Sequence, residues 1–264
     1  MGNFILVDRR DDIATVTLNR PKRHNAFDDR MIAELSRIFD DLSQDGAIRF
    51  IVLAAEGKSF SAGADLAWMQ RVAGQTSAEN EADALALAKL LQRIDACPKP
   101  VIGVVDGAAY GGGVGLLACC DIVLASHQAA FALSEVRLGL IPAVISPYVI
   151  AAIGARPCRR YFLTGERFSA EEGLRLGLVH RLIASKDLQE AISTLCADLR
   201  KGGPLAQAAA KDLILRVSST GNDVPIQEWT ASRIAELRGS AEGREGMQAF
   251  LDKRPPSWMR HQRV

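Results

Sequence analysis

The sequence predicts an α/β fold in which strands alternate with helices, followed by a helical C-terminal region. Three observations predict it. Ile48–Ala54 and Val101–Val105 are continuous apolar runs rich in β-branched residues, and Ile122–Ala125 is a third; such runs suit strands covered on both faces. Between them, Asp28–Leu42 places Met31, Ile32, Leu35, Ile38, Phe39 and Leu42 at helical spacing, and Glu79–Ala96 reads as a helix ended by the Pro98 and Pro100 signals. After about Arg156 the patterns become mostly helical, with breaks at Gly202-Gly203-Pro204 and Gly221-Asn222-Asp223.

Taken from the start, Phe4–Val7 and Ile13–Leu18 read as two strands around the turn Arg9-Arg10-Asp11-Asp12. Two glycine-containing stretches, residues 57–65 and 106–115, follow apolar strands, where α/β proteins carry ligand groups. The expected division is a core over residues 1–195 and a helical region over 196–264.

Composition narrows the function classes. With 264 residues, 48% hydrophobic and 24% charged, the chain suits a globular protein with a substantial core. A net charge of +1 provides no global field toward nucleic acid or an anionic membrane. The five cysteines, Cys97, Cys119, Cys120, Cys158 and Cys196, form no C-x-x-C pair and imply no zinc site. Buried, reduced thiols and a cytoplasmic location are the expectation. The apolar run Phe4–Val7 is too short for a signal-peptide core, and Val101–Ala125 is interrupted by Asp106, Asp121 and glycines, so no membrane span is expected.

Three stretches hold residues suited to chemistry. In Ser59-Phe60-Ser61-Ala62-Gly63-Ala64-Asp65, small side chains let a ligand approach the backbone, whose N–H groups would donate to a developing oxyanion. An ordinary strand–helix turn would look the same. In residues 106–115, Gly111, Gly112 and Gly113 expose amide donors ahead of the apolar run Leu116–Cys120; tight helix packing would also use them. In residues 131–142, Glu135 is a carboxylate in apolar company. Burial would raise its pKa and suit it to acid/base work, whereas Arg137 offers it an ion pair.

Other patterns compete with these. Gly113-Val114-Gly115-Leu116-Leu117-Ala118 matches the dinucleotide pattern G-x-G-x-x-A, but seven residues separate Val105 from Gly113. The histidines, His24, His127, His180 and His261, form no H-E-x-x-H or nucleophile-elbow motif. The C-terminal Lys253, Arg254, Arg260 and Arg263 with Trp258 read as a solvated tail or a phosphate contact rather than a nucleic-acid patch.

Together, in this order and spacing, the three stretches resemble the crotonase (enoyl-CoA hydratase/isomerase) superfamily. The resemblance runs from Leu18-Asn19-Arg20-Pro21-Lys22-Arg23-His24-Asn25-Ala26 to Met247-Gln248-Ala249-Phe250-Leu251-Asp252-Lys253-Arg254. It implies a spiral of ββα repeats, a helical C-terminal region for trimerisation, and a homotrimer or a homohexamer of two trimers. The implied substrate is an acyl-CoA thioester, with no separate cofactor and no metal. Its carbonyl would be held by the backbone N–H groups of Ala64 and Gly112, with Glu135 as the acid/base residue. Lys22, Arg23, Ala62, Asp65, Leu66, Phe250 and Lys253 fall at positions implied to meet CoA or substrate.

One departure stands out. Hydratases of this family carry two glutamates around one water, and the first of them corresponds here to Gly115. Tyr110 is a candidate to supply a hydroxyl instead, or is simply packed. Isomerases that move a double bond from position 3 to position 2 use one glutamate. Residues 110–118 and 134–148 are similar to bacterial proteins assigned as methylglutaconyl-CoA or isohexenylglutaconyl-CoA hydratases, of leucine and acyclic-terpene breakdown, whose substrates bring an extra carboxylate. Hydration of an α,β-unsaturated acyl-CoA is therefore the leading expectation. Double-bond isomerisation is second, and a non-catalytic binding role on the same fold is third.

Overall fold

The computed structural model describes residues 4–220 and 224–259; the break read at Gly221-Asn222-Asp223, and Arg260, His261 and Arg263, lie outside them. The chain opens as the expected hairpin: β1 (Ile5–Arg10) and β2 (Ile13–Leu18) pair antiparallel. β1 runs beyond its apolar stretch because the ladder continues to Arg10↔Ile13, leaving Asp11 and Asp12 as the turn with Asp11 at φ 53°, as a tight hairpin requires. α1 (Asp29–Gln44) starts where the Asp28 side chain accepts from the Met31 N–H, and it buries Met31, Ile32, Leu35, Phe39 and Leu42. Each such burial contributes roughly 1.5–3 kcal/mol.

From there one unit recurs: a long strand, a short strand, then helix. β3 (Phe50–Ala55) and β4 (Ser59–Ser61) lead to α2 (Leu66–Val72) and α3 (Ser77–Asp95). β5 (Val101–Val105) and β6 (Ala108–Tyr110) lead to α4 (Gly112–Ala118). β7 (Ile122–Ser126) and β8 (Ala130–Ala132) lead through a 3-10 turn, Glu135–Leu138, to α5 (Ser146–Ile153) and α6 (Ala155–Thr164). The long strands build one sheet and the short strands another, so the chain advances as a spiral of ββα repeats. β9 (Arg167–Ser169), α7 (Ala170–Leu176) and β10 (Arg181–Ile183) complete this part. The six-stranded sheet runs β1-β2-β3-β5-β7-β10 and the four-stranded sheet β4-β6-β8-β9. All pairings are parallel except β1–β2 and β8–β9.

Two features differ from the reading of individual segments. The short strands of the second sheet span three residues each, too few to display a period, and they sit in stretches that read as loops. The chain after Arg156 is not simply helical, since β9 joins β8 and β10 joins β7.

Contacts divide the chain into two compact units, one up to Gln189 and one from Glu190 on. The second holds most of α8 (Leu188–Leu199), with α9 (Pro204–Thr220), α10 (Val224–Gly239) and α11 (Ala241–Leu251). Within it, Trp258 donates through Nε1 to the Lys201 carbonyl at 3.2 Å, and Arg254 pairs with Glu245 at 2.7 Å. Of the basic C-terminal segment, Arg254 and Trp258 are thereby engaged within this unit. All five cysteines are buried and unbridged. Among the described residues, no helix is long and apolar enough to cross a membrane.

Candidate active site

The turn at residues 20–28 organises the first glycine-containing loop. Asn25 is 0% exposed, and its side-chain amide donates to the carbonyls of Glu56 and Ser59, both at 2.8 Å. Its Oδ1 accepts from the Arg20 N–H at 2.7 Å. The Ser61 hydroxyl donates to the Asn25 carbonyl and accepts from the Gly63 N–H. Between the two segments, Ala62 N–H donates to His24, Phe27 N–H to Gly63, and Asp65 N–H to Phe27. This alternation uses the amides on either side and leaves the Ala64 N–H in no backbone bond among the described residues.

Asp65 holds the far end of the loop. Its Oδ1 accepts from Ala67 and Trp68 N–H, capping α2, and its Oδ2 pairs with Arg20 at 3.0 Å. Burial pushes its carboxyl up, but the two N–H bonds and the charges of Arg20 and Arg23 outweigh this and hold it below the usual carboxylate value. Leu66, the first residue of α2, is exposed.

The second loop comes alongside because β4 and β6 run parallel, with Ser61 opposite Ala109. Gly111 takes φ 50° and ψ −119°, backbone that side-chain-bearing residues avoid, and donates to the Ala132 carbonyl at 2.8 Å. Gly112 is the first residue of α4, so its N–H has no partner within the helix. The loops touch at this point: a Cβ on Gly63 would lie 3.7 Å from the Gly112 nitrogen. The Phe27 ring packs against Gly112, 3.0 Å at Cε1 from where its Cβ would stand. Two N–H donors without backbone partners therefore flank one contact.

Glu135 reaches the same place from the 3-10 turn after β8. Its Oε1 would be 3.0 Å from a Cβ on Gly111. Its Oε2 is buried with no hydrogen-bond partner among the described residues. Burial raises its pKa above the ordinary glutamate value, with its own backbone N–H opposing weakly. Arg137 does not pair with it; the guanidinium turns to the Thr164 carbonyl, 3.5 Å away. A carboxyl with a raised pKa beside free amide donors can exchange a proton with an adjacent ligand.

Gly115, at the expected position of a second carboxylate, is not beside an open space. A Cβ there would lie 2.8 Å from the Cβ of Ile145 and would overlap its Cγ2, and Ile145 is 3% exposed. The sequence reading missed this residue. Thirty positions separate it from Gly115, and no periodicity connects the two.

The remaining candidates fall as follows. The Tyr110 ring is covered by the Arg167 guanidinium at 5.1 Å, a packing role. Lys22 and Arg23 are exposed on the 3-10 turn Pro21–Arg23, and Ala62 is exposed on its loop. Phe250, 83% exposed, and Lys253, with φ 53°, belong to the second unit. His24 Nδ1 lies 3.0 Å from the Ser59 hydroxyl, and His180 Nδ1 accepts from the Val123 N–H. Gly113-Val114-Gly115 sits inside α4 rather than in a strand–helix turn, which removes the dinucleotide reading.

Known proteins are similar to this chain in sequence and fold. The family model described as enoyl-CoA hydratase/isomerase matches residues 8–261. An enoyl-CoA hydratase of Shewanella pealeana is 42% identical, with a TM-score of 0.94 over 97% of this chain and 96% of that one. Pseudomonas aeruginosa AtuE is 35% identical, with a TM-score of 0.93 over 98% of this chain and all 100% of that one. The enoyl-CoA hydratase ACTT6 of Alternaria alternata is 34% identical over 84% of this chain and 73% of its own length. With the ββα spiral, the paired glycine loops and the buried glutamate already in place, these matches show that the chain belongs to the enoyl-CoA hydratase/isomerase family, with the crotonase fold, and is an enzyme of that family.

Proposed function

We propose that the protein hydrates an α,β-unsaturated acyl-CoA, with a methylglutaconyl-type substrate favoured. The observation that carries this is Glu135, its Oε2 unpaired and its Oε1 against Gly111, beside the free amides of Ala64 and Gly112. In this reading the thioester oxygen accepts from those two N–H groups. Glu135 takes a proton from water, and the hydroxyl adds to the β-carbon. The enolate charge collects on the held oxygen, where one such donor contributes on the order of 3 kcal/mol. Glu135 then returns the proton to the α-carbon. The extra carboxylate of the substrate takes over the water-positioning that a residue at Gly115 would otherwise provide, and the proposed context is leucine or terpene breakdown.

Lys22, Arg23 and Ala62 are proposed to meet CoA, with Leu66 beside the acyl group. Phe250 and Lys253 are proposed to reach the CoA of a neighbouring subunit in a trimer or hexamer. Asp65 serves this site by holding its loop, since both of its oxygens are engaged within the protein. The proposed compartment is the cytoplasm, in keeping with five buried thiols.

A second reading has its own support. Ile145 stands where a side chain at 115 would begin, so position 115 offers no second glutamate, which suits an isomerase whose glutamate takes a proton from C2 and returns it to C4. Crotonyl-CoA, a 3-enoyl-CoA and 3-methylglutaconyl-CoA offered in parallel, with Glu135→Gln as control, separate the two. Hydration of the third alone supports the first reading, and migration of the double bond supports the second. Turnover of none would favour a binding role on this fold.

A further inference from the structure

We infer that Ile145 is a specificity-determining residue, which holds this site to a single carboxylate by occupying the volume a second one would need. The inference rests on the enzymatic reading above for its consequence, though not for its geometry. Gly111 immediately precedes α4, and its carbonyl accepts from the Gly115 N–H at 3.2 Å, so Gly115 lies in the first turn of the helix. A Cβ on Gly111 would lie 3.0 Å from Glu135 Oε1. A Cα–Cβ bond at position 115 would tilt toward the helix N-terminus, the end at which Gly111 stands.

Ile145 stands in that path, and it is anchored. Its carbonyl accepts from the Val149 N–H at 3.1 Å as α5 begins, and Val149 and Ile153 bury that helix. It cannot withdraw without moving α5. Positions 115 and 145 thus form a pair: glycine gives the isoleucine room, and the isoleucine fills with apolar side chain the volume a residue at 115 would need. A carboxylate introduced at 115 alone has no place to sit. The substrates such a site favours are acyl-CoAs that need one protein carboxylate, either because the acyl group supplies a second polar group or because a proton only moves between carbons.

Two measurements on the purified full chain test this. The first reads the shared volume without reference to activity, as thermal unfolding of Gly115→Ala, Ile145→Ala and the double variant. Gly115→Ala is expected to lower Tm in the wild-type background and to lower it much less when residue 145 is alanine. Equal Tm losses in the two backgrounds would overturn the inference. The second is crotonyl-CoA hydration by Gly115→Glu and by Gly115→Glu/Ile145→Ala. The double variant is expected to gain about a hundredfold or more over wild type, the low end of what an added acid/base group provides, and the single variant to gain nothing. A single variant that gains as much as the double, or a folded double variant that gains nothing while wild type turns over 3-methylglutaconyl-CoA or a 3-enoyl-CoA, would overturn it. A coupled Tm with a wild type inactive on every acyl-CoA would support the steric assignment and sink the hydratase and isomerase readings instead.

Discussion

Glu135 and Asp65 show how two carboxylates of one fold are driven in opposite directions. Burial dominates at Glu135 and raises its pKa, whereas N–H bonds and arginine charge outweigh burial at Asp65 and lower it. For Glu135 the folded-state value lies above the unfolded one, so its favourable contribution is complete at low pH and is lost as pH rises through the raised value. Glu135→Gln removes that loss. The variant's Tm is expected to exceed that of wild type by more at pH about 8 than at pH about 4, while turnover falls by about 10²–10⁴-fold; thermal scans at both pH values and steady-state kinetics check this. Because the base must be ionised, the acid limb of kcat/KM should lie above the ordinary glutamate range. Asp65 has the reverse sign: its contribution is present above the unfolded value and is lost as pH falls through the lowered one. Asp65→Ala removes a helix cap and one partner of Arg20, and is expected to cost about 2 kcal/mol by denaturant unfolding at neutral pH. At pH about 2 the cost should shrink.

At the scale of elements, the site is made by two strand ends brought side by side, and the helix starts that follow them. Gly112 must lack a side chain because the Phe27 ring lies where a Cβ would go. Gly112→Ala is therefore expected to shift the start of α4 and with it the amide of residue 112. A fall of about 10²–10³-fold in kcat, with a smaller change in KM, is the expected outcome in steady-state kinetics. The long strands and α1 were legible because each carries a period or an unbroken apolar run. The short strands β4, β6, β8 and β9 were not, since three residues carry no pattern and their pairing energy comes from neighbours distant in sequence.

For the whole molecule, the second unit leaves large apolar side chains in solvent when the chain is taken singly, among them Leu205, Ile214, Phe250 and Leu251. Surfaces of this kind are covered in assemblies. The proposed trimer or hexamer makes a direct prediction: light scattering should give three or six chain masses and not one. Phe250→Asp with Leu251→Asp should shift the population toward smaller species, and a wild-type protein that remains monomeric at micromolar concentration would refute the assembly.

The sequence by itself determined the order of long strands and helices and the two glycine-bearing loops, and through the family resemblance it pointed to Glu135 as the carboxylate of the proposed site. These are local facts, written in periodicity, in glycine and in the company a residue keeps. Only the tertiary structure decided what surrounds that carboxylate. Arg137 turns to the Thr164 carbonyl, Tyr110 packs beneath Arg167, and the space beside Gly115 is taken by Ile145. Each of those outcomes depends on which side chains compete for the same volume after folding, and close packing settles that competition between residues far apart in the chain.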